Sequence, residues 1–211
     1  PKRDYWLSPL GFFFGLVITE FISHHFLGTS ELWFRVPMGA SALLLFVLPA
    51  SPLAQPWSIV GGNLIAAIVG VSCAKLLGNA AWAACLAGAI AVMGMMHLRC
   101  LHPPSGAVAL IPILGGIKTT QLGYNFAMFP VLLNSVLLVL TAIFFNKLVG
   151  RNYPHQAPAP IVTPVVFDAA ITRADIDAVL KENQELLDIS EEDIESIIIQ
   201  AELIAKSRKS N

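Results

Sequence analysis

Charged residues are scarce in this chain of 211 residues, because Asp, Glu, Lys and Arg make up only 13% of it. A soluble domain typically carries about 25%. The deficit is concentrated in three stretches that contain no Asp, Glu, Lys or Arg, namely residues 36–74, 76–98 and 119–146. A helix needs roughly 20 apolar residues to cross the hydrocarbon core of a bilayer. The sequence therefore predicts an all-α membrane protein with several crossings of the lipid bilayer.

Recognisable catalytic and metal-binding patterns are also missing. Cys73, Cys85 and Cys100 form no CxxC pair, and they are interpreted as small apolar packing residues. His97 and His102 flank Cys100 without the ligand spacing of a known metal site. The sequence contains no paired carboxylates and no Ser/His pattern. We therefore expect neither an enzyme nor a metal site, no other cofactor, and no nucleic acid among the partners.

The charges divide the chain into two regions. Residues 1–151 hold eight Lys or Arg against three Asp or Glu, whereas residues 152–211 hold five against eleven. We therefore predict a membrane domain at 1–151, a Pro-rich linker at 152–167, and a cytoplasmic pair of short amphipathic helices at 168–211. Capping signals at Thr172 and Ser190 indicate where the two tail helices begin.

Basic residues flank both ends of the membrane domain. Lys2 and Arg3 precede the first apolar run, and Lys147 and Arg151 close the last one. By the positive-inside rule, both termini are predicted to be cytoplasmic, in the cell inner membrane. An even number of crossings follows, which is four if the two Pro-bounded segments are re-entrant and six if they cross as broken helices.

Two Pro-bounded segments indicate an internal repeat. "PMGASALLL" at 37–45 aligns with "PSGAVALIP" at 104–112, and the two share Pro, Gly, Ala, Ala and Leu in the same order. Each segment follows one helix and precedes another. If each unit has three crossings, the repeats are inverted, an arrangement in which transporters place two broken helices near the bilayer midplane.

The second segment predicts a helix that begins inside the membrane. Pro103 and Pro104 lack amide hydrogens and force the preceding residues out of a helix. A helix N-terminus that starts there would present free amides and a positive dipole end, which favour an anion. The copy at 37–41 would present a matching end. The predicted substrate-binding residues are Arg35, Gly39, Ala40, Ser41, Arg99, His102, Ser105, Gly106 and Ala107.

Each of these assignments has a structural alternative. Arg35 and Arg99 can extend to the membrane interface, and His102 can bond backbone carbonyls at the break. Four other polar residues form a possible pore or proton path: Glu20, His24, Asn63 and Asn134. The alternatives are an interfacial ion pair for the first two residues and interhelical hydrogen bonds for the two asparagines.

Two separated motifs carry a resemblance to a known family. "RCLHPPSGAVALIP" and the earlier "GASALLLFVLPASPLAQPWSIVGGN" resemble the HPP family of integral membrane proteins over roughly residues 5–150. The resemblance implies four transmembrane spans, and nitrite transport is associated with plant and cyanobacterial members. The tail resembles the helical connector of longer bacterial members, but the sequence has no CBS domain, so nucleotide sensing is not expected.

The resulting hypothesis is a transporter or channel for a small anion, nitrite or a similar monovalent oxyanion, held between two broken half-helices. A homo-oligomer is expected. The alternative is a membrane-embedded sensor or scaffold that signals through the C-terminal helices. The predicted architecture has four to six transmembrane helices with two Pro-broken or re-entrant segments, plus a short helical tail.

Overall fold

The computed structural model describes residues 4–27, 32–155 and 193–199. The described residues contain helices and connecting turns but no strand, which confirms the all-α prediction. The chain divides into two compact units, a body at 1–155 and a tail at 156–211. In the tail, residues 193–199 are helical, within the second predicted tail helix. The first predicted tail helix and the linker beyond residue 155 lie outside the described residues.

Seven α-helices are described in the body. They are α1 (Asp4–Leu27), α2 (Leu32–Val47), α3 (Pro56–Leu77), α4 (Ala81–His97), α5 (Ser105–Leu114), α6 (Ile117–Leu122) and α7 (Leu133–Leu148). A 3₁₀ turn at Pro52–Ala54 precedes α3, and a π-helical turn at Ala127–Leu132 leads into α7. Three segments are long and apolar enough to cross a membrane, namely Tyr5–His25, Pro56–Leu77 and Ala127–Leu148. Helices α2, α4 and α5 are shorter but also apolar.

Side-chain hydrogen bonds show that both ends of the body lie on one side. After α7, Arg151 donates to Ser8 Oγ near the start of α1 (3.1 Å) and to the Phe46 carbonyl near the end of α2 (2.9 Å). Trp57, at the start of α3, donates to the Leu98 carbonyl just after α4 (3.2 Å). Helices α1 to α4 therefore alternate in direction, and α7 returns to the side on which α1 begins.

Helix α5 begins inside the body and runs parallel to α3. A Cβ atom on Gly62 would lie 3.0 Å from Ser105 Oγ and 2.8 Å from the Cys100 carbonyl oxygen, and one on Gly70 would meet the Ala109 carbonyl oxygen. Glycine is needed at both positions because the two backbones are this close. With ten residues, α5 is about 15 Å long, half of the hydrocarbon core.

The prediction of a break near Pro37 is wrong, whereas the predicted break at Pro103 and Pro104 is present. Helix α2 begins at Leu32 and continues through Pro37 to Val47. Proline is tolerated inside membrane helices where neighbouring groups compensate the lost hydrogen bond. In contrast, α4 ends at His97 and helix resumes only at Ser105. The two sequence copies therefore have different local structures.

Candidate functional site

His102 is the centre of the break between α4 and α5, and its imidazole is fully buried. Its Nδ1 lies 2.8 Å from the Leu53 carbonyl oxygen in the 3₁₀ turn, and its Nε2 lies 2.8 Å from Ser41 Oγ in α2. A carbonyl oxygen only accepts, so Nδ1 carries the hydrogen. Ser41 Oγ also lies 3.0 Å from the Pro37 carbonyl oxygen. His102 therefore joins the break to the 3₁₀ turn and to α2, and neither of its partners lies at the break itself.

The first amides of α5 are not free, which corrects the predicted anion site. The amides of Ser105, Gly106 and Ala107 donate to the carbonyls of His102, Pro103 and Pro104, at 2.9, 3.0 and 3.1 Å. These bonds span three residues, as in a 3₁₀ turn, because the two prolines begin a tight turn before the helix. Three of the four amides that a helix start usually leaves open already have acceptors.

The matching end expected at 37–41 is absent for a different reason. Gly39, Ala40 and Ser41 lie in the second and third turns of α2, where amides bond within the helix. Arg99 lies on the surface with a left-handed backbone, at φ 53°. Arg35 belongs to α2, but the position of its side chain is not described by the structure. Among the predicted binding side chains, the structure thus joins Ser41 with His102.

A second buried network connects α5, α3 and α7. Ser105 Oγ donates to Asn63 Oδ1 at 2.7 Å, and Asn63 Nδ2 donates to Ser135 Oγ at 2.9 Å. Ser135 donates in turn to the Val131 carbonyl at 2.8 Å. Asn63 therefore makes interhelical hydrogen bonds, which was the alternative to a pore-lining role. Among the described residues, no group of three His, Cys, Asp or Glu side chains is placed to hold a metal ion.

The structure brings three of the predicted path residues together at a cavity between α1, α2 and α7. The cavity has a volume of about 530 Å³. Its lining residues are Leu16, Val17, Thr19, Glu20, Phe21, His24, Met38 and Asn134. Glu20 is half-buried and His24 is exposed, one helical turn further along α1. The wall therefore combines one carboxyl group, one imidazole and two uncharged polar side chains with apolar surface.

Two polar atoms in the cavity wall are buried without a partner. Thr19 is 4% exposed and Asn134 is 5% exposed, yet Thr19 Oγ1 and Asn134 Oδ1 make no hydrogen bond to the described residues. Such a buried polar atom costs about 1 to 3 kcal/mol. Ser41, Asn63 and Ser135 are equally buried but are bonded. Asn146 Oδ1 is also buried without a partner among the described residues, but it does not line the cavity. Two of the three such atoms thus lie in the cavity wall.

Sequence reasoning missed Thr19, although a signal was present. Gly11, Gly15 and Thr19 are spaced by four residues along α1, which places them on one face of the helix. All three are buried, and Gly11 and Gly15 lie against Phe46 of α2. The hydroxyl group of Thr19 occupies the next position of this packed face and lines the cavity.

Residues 1–154 match the HPP transmembrane region. A transmembrane protein of Dictyostelium discoideum is 33% identical over 157 residues, which is 71% of this chain and 53% of the relative. A second transmembrane protein of that organism is 34% identical over 155 residues, 71% of this chain and 49% of the relative. The chain thus spans about half the length of these relatives, and no solved structure matches it.

Proposed function

The chain belongs to the HPP family of integral membrane proteins, and on this basis we propose that its body is a transporter or channel for a small anion, nitrite or a similar monovalent oxyanion. The observation that carries the proposal is the cavity between α1, α2 and α7, which has two buried polar atoms without hydrogen-bond partners among the described residues. Polar groups inside a membrane protein are expensive, and they typically mark a solute or ion path. The proposed solute site is this cavity rather than the two half-helix ends.

The direction of the helices supports a transporter built from two inverted repeats. The repeat pairs α1 with α4, which precede the two Pro-bounded segments, and α2 with α5, which contain them. It pairs α3 with α7, which follow them. The members of each pair run in opposite directions through the body. Inverted pairs of this kind allow one half to rock against the other around a central site.

We further propose that the chain forms a homo-oligomer in the cell inner membrane. The cavity opens beside Val17 and Phe21, which are exposed on α1. A second copy of the chain would shield this opening from lipid, which supports a homo-oligomer. We place both termini on the cytoplasmic side, because Lys2 and Arg3 precede α1 in the sequence, Lys147 and Arg151 lie at the end of α7, and Arg151 bonds to Ser8 near the start of α1.

Nitrite uptake into proteoliposomes tests the proposal, with vesicles lacking protein as the blank. Thr19→Val and Asn134→Leu replace the two unpartnered groups with apolar groups of similar shape. We expect each to lower nitrite uptake at least tenfold. Each should also leave thermal stability unchanged or raise it, since an unsatisfied buried group is removed.

Thr141→Val is the matched control, because the Thr141 hydroxyl donates to the Leu137 carbonyl within α7 and does not line the cavity. Its uptake should remain at the wild-type level. Absence of uptake for nitrite and for every other small oxyanion by the folded protein would refute the proposed function. Uptake that survives both cavity variants would refute the assignment of the cavity.

A further inference from the structure

The cavity between α1, α2 and α7 is much larger than nitrite requires. Its volume of about 530 Å³ lies in the range of about 300 to 1,000 Å³ that is typical of sites for small organic molecules. A water molecule accounts for about 30 Å³ in the liquid, and nitrite has only three heavy atoms. A single nitrite ion would therefore leave most of the cavity to be filled by something else.

Much of the wall is better suited to carbon than to water. Apolar surface comes from Leu16, Val17, Phe21 and Met38, whereas an ordered water molecule needs about two to four polar partners. Hydrocarbon gains free energy from the same surface, because apolar groups that leave water for an apolar wall are stabilised in proportion to their area. The space beside these four side chains therefore favours a ligand with an apolar part.

The polar and apolar groups lie at different depths in the cavity. Thr19 and Asn134 are 4% and 5% exposed, and Thr19 Oγ1 and Asn134 Oδ1 have no hydrogen-bond partner among the described residues. In contrast, Val17 and Phe21 are 46% and 74% exposed at the opening. A ligand that matches this arrangement has a small polar head at the buried end and an apolar chain that extends towards the opening.

A carboxylate supplies a head group of the kind that the proposed function requires. Like nitrite, it is planar, and two oxygen atoms bonded to one central atom share a single negative charge. The Thr19 hydroxyl can donate to one such oxygen, and a half-turn of the Asn134 amide presents its NH₂ group as a second donor. Unlike nitrite, an organic carboxylate carries a carbon chain that can cover the apolar wall.

We propose that the cavity binds organic monocarboxylates with a short unbranched hydrocarbon chain. The carboxylate lies at Thr19 and Asn134, and the chain runs along Met38 and Leu16 towards Phe21. This inference rests on the proposed transport function and names the class of oxyanion that the cavity binds most tightly. Each added CH₂ group that contacts the apolar wall should tighten binding about threefold to fourfold, until the chain reaches the opening.

The test measures how acetate, butyrate and hexanoate inhibit nitrite uptake into proteoliposomes at one pH, with strong buffer on both sides and the uptake of protein-free vesicles subtracted. We expect hexanoate to inhibit at least tenfold more strongly than acetate. The alcohol 1-hexanol has the chain without the carboxylate, and it should inhibit at least tenfold more weakly than hexanoate. The melting temperature of the purified protein with each compound measures binding independently of transport.

Variants locate the two parts of the ligand. Phe21→Ala and Met38→Ala remove apolar wall, and each should reduce the preference for hexanoate over acetate at least threefold. Phe13→Ala is the matched control and should keep the wild-type preference, since Phe13 is also exposed on α1 but does not line the cavity. Thr19→Val and Asn134→Leu remove head-group contacts, so they should weaken acetate and hexanoate by similar factors. Thermal unfolding verifies that each variant is folded.

The outcomes separate the inference from the function. Equal inhibition by acetate and hexanoate, with nitrite uptake intact, would overturn the inference while the transport function stands. Equal inhibition by 1-hexanol and hexanoate would overturn the carboxylate head group, and an unchanged preference in both Phe21→Ala and Met38→Ala would overturn the placement of the chain. Absence of uptake for every oxyanion would overturn the proposed function, whereas a rise in melting temperature with hexanoate but not with acetate would still support the carboxylate site.

Discussion

At the scale of single residues, the buried polar side chains of this protein divide into two groups. Ser41, His102 and Asn63 are completely buried and hydrogen-bonded. Thr19 and Asn134 are almost as buried, but each has an oxygen atom without a partner among the described residues. The first group stabilises the packing around the break, whereas the second faces the cavity. The type of residue is similar in the two groups, so only the position beside the cavity distinguishes the residues proposed to bind the solute. Asn146 Oδ1 also has no partner among the described residues, but it lies away from the cavity.

His102→Ala tests the structural role of the histidine. The substitution removes two hydrogen bonds of 2.8 Å and leaves a cavity in the fully buried centre of the break. We expect the free energy of unfolding to fall by about 2 to 4 kcal/mol, measured by thermal or denaturant unfolding in detergent. Nitrite uptake per folded molecule should change less than twofold.

Arg99→Gly is the companion variant for this prediction. Arg99 is exposed, and its left-handed backbone suits glycine without strain. The Arg99→Gly variant should have unchanged or slightly raised stability and unchanged nitrite uptake. If His102→Ala were as stable as the wild type but inactive in uptake, the sequence-based assignment of His102 to the solute site would be correct instead.

At the scale of elements, the contact between α3 and α5 holds the break in place. The half-length helix α5 has no room to shift sideways, because Gly62 and Gly70 let the α3 backbone touch it. Small residues at helix interfaces are the usual means by which membrane helices approach closely. The same helix carries Ser105, which bonds to Asn63 of α3. Packing and hydrogen bonding thus act on one pair of helices.

Gly70→Ala should separate these two helices. The added methyl group would meet the backbone carbonyl of Ala109, which cannot move out of the way as a side chain can. We expect a loss of about 1 to 3 kcal/mol in the free energy of unfolding. Gly106→Ala is the control, since no described atom lies within 4 Å of the added Cβ. It should be neutral or stabilising by up to about 1 kcal/mol, because alanine favours helix. Equal unfolding curves for the two variants would contradict the close approach.

At the scale of the whole molecule, the body and the tail are separate compact units. Two hydrogen bonds hold the last described residues of the body in place. The Tyr153 hydroxyl donates to the Ala54 carbonyl, and the His155 amide donates to Gln55 Oε1, both at 2.9 Å. The body therefore retains these contacts without the tail. Because of this division, transport by the body can be tested separately from the alternative of a sensor that acts through its C-terminal helices.

Deletion of residues 156–211 should leave a folded body with wild-type nitrite uptake. Circular dichroism and thermal unfolding in detergent would measure the fold, and the proteoliposome assay would measure uptake. A second truncation after Asn152 removes Tyr153 and His155 as well, and it should lower the melting temperature because two closing hydrogen bonds are lost. A body that folds but loses activity when only the tail is removed would favour the sensor hypothesis.

The fold was predictable wherever composition alone decides it. Stretches without charge predict membrane helices irrespective of their partners, and Pro103 with Pro104 predicts a break because neither residue has an amide hydrogen. Pro37 shows the limit of this reasoning. One proline can be absorbed inside a helix when the surrounding protein compensates it, and local sequence does not show that compensation. The helices and the second break were therefore foreseen correctly, whereas the first break was not.

The amino-acid sequence by itself determined that the body lies in a lipid bilayer, that it is helical, which family it belongs to, and where the break between α4 and α5 lies. These depend on side-chain polarity and proline geometry, which act locally. Only the tertiary structure decided which polar residues are bonded and which face the cavity. His102 and Glu20 are both titratable residues, but the packing of α2 against the break encloses His102, whereas Glu20 lines the cavity between α1, α2 and α7. Such distances between remote segments are set by the packing of the whole body and are not encoded in any short motif.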